Sequence, residues 1–136
     1  MLVNSIAQVI SINQPSLSII KKDKGEVYAT ALLVSLITKA VAFFSVGRGM
    51  NDFQIKETAE LILKNYYWLK SADFQLFFDK LKLGHYGKSY DRMDGSVILV
   101  ALAEYSEERI EIASKISEDL HKESKSENDL NEYFIK

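Results

Sequence analysis

"MNDFQIKETAELILKNYYWLKSADFQLFFDKLKLG", Met50 to Gly84, is the stretch whose reading decides the fold. Asn51 is a good N-cap residue and Gln54 stands three positions on, the spacing of a capping box. Met50 before the cap and Ile55 at the fourth helical position suit a hydrophobic staple. Ile55, Ala59, Ile62, Tyr66 and Leu69 then recur at steps of four and three, one face of an amphipathic helix. Ser71 is placed to cap a second helix, with Asp73 in its first turn, where the helix dipole favours a carboxylate. Phe74, Phe77, Phe78 and Leu81 form the apolar face, Lys80 and Lys82 fall in the last turn, and Gly84 is the expected stop.

Working outward, the same periodicity continues. Short helices are expected over Ser5 to Ser11 and from near Pro15, the single proline. Glu26 to Phe44 reads as a longer helix with a stripe of Val27, Ala31, Val34, Thr38, Val41 and Phe44, closed by a cap at Gly47. The stretch from Ala29 to Gly47 has membrane-like apolarity but carries Lys39 at its centre, and the expectation is a buried helix of a soluble protein. A last long helix is expected over Arg92 to Lys122, apolar all round from Val97 to Ala103, then narrowing to Tyr105, Ile112, Ile116 and Leu120. One proline and six glycines leave little turn chemistry for a β-fold. The expected architecture is all-α: one compact domain of about five helices over residues 1–122, with a polar, mobile tail over 123–136.

Composition narrows the function. With 136 residues, 26% charged and net charge −2, the chain is an ordinary globular domain without a global attraction for nucleic acid or acidic membranes. The charge is polarised: residues 48–92 hold eight basic and six acidic side chains, residues 93–136 five and eleven. The absence of cysteine excludes disulfides, thiolate metal sites and cysteine nucleophiles. No signal peptide is legible at the N-terminus, and a cytoplasmic location without a membrane partner is the expectation.

The remaining chemistry concentrates in "GHYGKSYDRMDG", Gly84 to Gly95. Its "GKS" is not a phosphate loop, because the required first glycine falls on Lys82 and a Phe-rich helix leads in. "GHYG" has the spacing of a KH-domain clamp but lacks the flanking strands. His85, Asp91 and Asp94 do not have metal-ligand spacing, and the aspartates are better read as caps, Asp91 as N-cap and Asp94 at the third position. No serine has a histidine partner, and no carboxylate pair has a reason for separated pKa values, so neither an enzyme nor a cofactor is expected. Lys64, Lys70, Lys80, Lys82, Lys88 and Arg92 interleave with Tyr66, Tyr67, Trp68, Tyr86 and Tyr90, and cations with aromatics suit phosphates and unpaired bases. The candidate contact set is Lys80, Lys82, His85, Tyr86, Lys88, Tyr90 and Arg92. The helix pair 51–66 and 71–82 reads as a generic α-hairpin, since "YWLKS" lacks the glycine of a helix-turn-helix.

Residues 15–110 resemble an uncharacterised family of small bacterial proteins of prophages and conjugative elements. The likeness is carried by Gln54, Thr58, Ala59, Ile62, Tyr66 or Tyr67, Leu69, Ala72, Asp73, Phe78 and Lys82, then Gly84, Tyr86, Gly87, Lys88, Tyr90, Asp91, Arg92, Asp94 and Gly95, and finally Tyr105, Glu108 and Arg109. It departs near Ala101, where an aromatic residue is expected. The resemblance implies a non-enzymatic accessory protein contacting nucleic acid or a DNA replication or maintenance complex. The alternative is an interaction module that binds or inhibits a host protein, using either the face of Glu104, Glu107 and Glu111 or the tail ending Tyr133, Phe134 and Ile135.

Overall fold

The structure, a computed structural model, describes residues 4–44, 49–87 and 92–135, the last ten of these as backbone only. It is all-α. Six helices follow one another: α1 (Ile6–Ser11), α2 (Leu17–Lys24), α3 (Glu26–Phe43), α4 (Asp52–Asn65), α5 (Ser71–Lys82) and α6 (Gly95–Ile135). Among the described residues there is no strand; an isolated antiparallel bridge joins Ser16 and Lys70.

Helix α4 starts as its sequence dictates. The Asn51 side chain accepts from the Gln54 N–H at 2.8 Å and the Gln54 side chain accepts from the Asn51 N–H at 2.9 Å, so two orphan donors are satisfied. Ile55, Ala59 and Ile62 are buried as expected, joined by Thr58 and Leu63. Helix α5 buries Phe74, Phe77, Phe78 and Leu81. It ends in a Schellman motif: Gly84 at φ 82° lets the His85 N–H reach the Lys80 carbonyl and its own N–H reach Leu81.

Several boundaries differ from expectation. The N-cap of α5 is Lys70, not Ser71, because Asp73 at the third position accepts from the Lys70 N–H at 2.9 Å while the Ser71 hydroxyl turns to Gln14. Helix α6 starts at Gly95, not Arg92, and Asp94 is therefore its cap rather than its third residue, accepting from the Val97 N–H at 3.0 Å. It does not stop near Lys122 but runs to Ile135. The cap expected at Gly47 lies outside the described residues.

Helix α3 buries a different stripe from the one its spacing suggested. Ala29, Leu33, Ile37 and Ala40 face the core, while Val27 is 86% exposed. The helix is apolar on several faces, so periodicity alone did not discriminate between them. It is long and apolar enough to cross a membrane by length and composition, with 22% of the span buried. It packs on α2, α4 and α5, whereas α6 packs on α1, α4 and α5.

The connection Tyr66 to Lys70 is structural. Its Leu69 and Tyr67 carbonyls accept the first N–H groups of α2, from Leu17 and Ser18, both at 2.8 Å. The Lys70 ammonium donates to the Val9, Ile10 and Ile12 carbonyls at 3.1, 3.1 and 2.7 Å and so closes the C-terminal end of α1. Lys70 thereby satisfies carbonyls that a six-residue helix leaves open.

Candidate functional site

The aromatic centre beneath the corner is built around Phe77. Its ring lies 5.8 Å from Tyr105, 4.9 Å from Phe78 and 5.7 Å from Tyr86. The corner residue Tyr86 thus turns inward, with His85 edge-on against it at 4.9 Å. Of the other sequence candidates, Lys88, Tyr90 and Asp91 lie outside the described residues.

Four of the described cations are already engaged. Lys80 is 3.6 Å from Glu108 with its side chain 19% exposed. Lys82 lies 5.4 Å from the Phe43 ring. Arg92 is exposed but stands 3.3 Å from Asp94. Lys70 is consumed by α1. A cation that already has a carboxylate or carbonyls must give them up to take a phosphate, so the basic stretch is weaker than its lysine count suggests.

Behind Tyr105 lies a charged cluster that the sequence did not reveal. Asp73 is fully buried; its Oδ1 accepts from the Tyr105 hydroxyl at 2.7 Å and from the Arg109 Nε at 2.8 Å. Its Oδ2 accepts from the Lys70 N–H. The Arg109 guanidinium is 5.5 Å from the centre of the Trp68 ring, and its side chain is 11% exposed. A buried carboxylate is tolerated only with such partners. Burial, and then the adjacent Asp73 carboxylate, push the Tyr105 phenol well above its ordinary range. The signal available in sequence was Asp73 itself, four residues before Phe77 and therefore on the apolar face of α5. Tyr105 and Arg109, also four apart, address it from α6. This cluster is closed and serves structure: it fastens α5 to α6.

The open feature lies on the opposite side of α6. The segment Val97 to Ala103 is not buried all round: Ile98, Ala101 and Leu102 face the core, while Val100 is 69% exposed. Helix α4 meets α6 at Thr58 and Gly95, where a Cβ on the glycine would lie 2.5 Å from Thr58 Oγ1. From this close approach a groove of about 600 Å³ opens, with Leu61, Leu99, Val100 and Ala103 in its lining and Glu57 and Asp94 at its edge. Ser96 and Val100 also line a hollow of about 250 Å³ with Tyr86, Arg92, Ala101 and Glu104. That hollow is where Ala101 stands in place of the expected aromatic. Further along α6 a third depression is lined by Glu107, Ile110, Glu111, Ser114, Lys115 and Glu118.

Among the described residues, no group of three or more His, Asp or Glu side chains is placed to hold a metal ion. No curated protein and no solved structure matches the chain. A family model does: the one described as "Family of unknown function (DUF6633)" matches residues 50–131, more than half of the sequence. The match begins one residue before the Asn51 cap and takes in α4, α5 and most of α6, the elements that build both the Asp73 cluster and the groove. The chain belongs to the DUF6633 family.

Proposed function

We propose that this protein is a non-enzymatic interaction module that binds a protein partner through the α4–α6 face. One observation carries the reading: an apolar groove floor stands open, with Val100 69% and Leu61 42% exposed. Contiguous exposed apolar surface bordered by polar residues is the usual mark of a protein contact. Phosphates are less well served, because Lys70 and Lys80 are engaged internally and Arg92 is paired with Asp94. The resemblance to mobile-element proteins implies a partner among replication, maintenance or host factors.

The test is a photo-crosslinking residue at Val100, with a second at Lys22 on α2 as control, in cells that express the protein. Expected are protein adducts at Val100 that vanish with Leu61→Asp, and none at Lys22. Equal adducts at both positions would refute the assignment. Tight, salt-sensitive binding to single- or double-stranded DNA, lost on Lys88→Glu with Arg92→Glu, would replace it with nucleic-acid contact.

A further inference from the structure

We infer that the partner's docking element is a basic amphipathic helix, an assignment that rests on the interaction-module reading and adds the partner's chemistry to it. The depressions on α6 succeed one another from Gly95 to Glu118. At ~1.5 Å rise per residue that path is roughly 35 Å long, enough for about six turns of a docked helix. At its start α4 forms the second wall, beside the close Thr58–Gly95 contact. A ridge of side chains seats between two helices in this way. The described residues offer no sheet edge for strand addition, and a groove between two helices fits helix-in-groove docking.

Charge then selects the partner. The floor is apolar beside α4, with Leu61, Leu99, Val100 and Ala103; further on, Ile110, which is 56% exposed, is the apolar residue lining an otherwise polar depression. Its borders are Glu57 on α4 and Glu104, Glu107, Glu111 and Glu118 on α6. The cations lining the same depressions are Arg92 and Lys115, and Arg92 is already paired with Asp94. An acidic partner helix would face like charge along the whole path, and a nucleic-acid backbone would do the same. A helix with leucine-type side chains at i, i+3, i+4 and i+7, flanked by lysine or arginine, meets both the floor and its borders.

The experiment uses the full chain and three labelled synthetic 20-residue peptides: a basic amphipathic helix, a scramble of the same composition, and a version with every lysine replaced by glutamate. Fluorescence anisotropy reads binding. The basic helix is expected to bind, and to weaken about tenfold or more for Val100→Asp and for the triple variant Glu104→Gln, Glu107→Gln, Glu111→Gln. Raising salt from about 50 to about 300 mM should weaken it in the same direction. Circular dichroism confirms that each variant is folded. Equal binding of the scramble or of the glutamate peptide, or indifference to Val100→Asp, overturns the inference. A partner crosslinked at Val100 through a neutral or acidic segment overturns it too, while leaving the interaction-module reading intact. Failure of every peptide together with no adduct at Val100 overturns both.

Discussion

Replacing Asp73 by asparagine keeps the shape of the side chain and removes its charge. Three donors converge on this carboxylate: the Tyr105 hydroxyl and Arg109 Nε on one oxygen, the Lys70 N–H on the other. An amide has one acceptor oxygen, so its NH2 group must oppose either the Lys70 N–H or the Tyr105–Arg109 pair. The Arg109 charge is then left uncompensated with its side chain 11% exposed. Breaking a buried pair from one side costs about 3–5 kcal/mol, a large part of the ~5–15 kcal/mol that holds a domain of this size together. With a urea slope of about 2 kcal/mol/M, the unfolding midpoint should fall by roughly 1.5–2.5 M. Trp68, the single tryptophan, is in contact with Arg109 and reports the transition by its fluorescence. The double variant Asp73→Asn, Arg109→Met should lose clearly less than the sum of the two single losses, since it leaves no orphaned charge. A loss below about 1 kcal/mol for Asp73→Asn, or strict additivity in the cycle, would refute the account of Asp73 as the joint between α5 and α6.

Tyr105→Phe should cost about 1.5–3 kcal/mol at neutral pH, the worth of a hydrogen bond to a charged group. Because folding holds the Tyr105 phenol protonated, its contribution is complete below the ordinary tyrosine pKa of about 10 and declines above it. The stability gap between the native chain and Tyr105→Phe should therefore narrow by about 1.4 kcal/mol per pH unit above pH 10, as measured by urea titrations from pH 7 to 11. Lys70→Met should expose the amides of α1 to hydrogen exchange ahead of those of α4 and α5, at a cost of about 1.5–3 kcal/mol. Gly95→Ala should lose about 1–3 kcal/mol by overpacking against Thr58, and adding Thr58→Ala should recover most of it in a chemical-denaturation cycle.

Local chemistry made much of the fold legible. The Asn51–Gln54 box, the apolar face of α5 and the Gly84 stop are each set by residues within a few positions of one another, and each stands where spacing put it. What failed depended on partners distant in sequence. Ser71 has the chemistry of a cap, but Gln14 from another part of the chain takes its hydroxyl and also accepts the Ala72 N–H at 3.2 Å. Periodicity does not single out the buried stripe of α3, because an apolar residue on every face leaves the choice to the packing of α2, α4 and α5. The lysines of the basic stretch look alike in sequence. In space Lys70 is a helix cap, Lys80 an ion-pair partner, and Lys82 a neighbour of Phe43. The groove was hidden because Val97 to Ala103 reads as uniformly apolar, and only packing decides that Ile98, Ala101 and Leu102 are covered while Val100 is not.

The Asp73 joint has a geometric consequence for the far side of α6. Tyr105 and Arg109 stand one turn apart and both point at one carboxylate, which sets the rotation of the helix about its own axis. A slip of one residue would turn α6 by ~100° and carry Val100 and its flanking glutamates away from α4. Asp73 thus acts as an angular index for a surface it never touches. A folded variant that loosens it should lose partner binding with every residue of the groove unchanged.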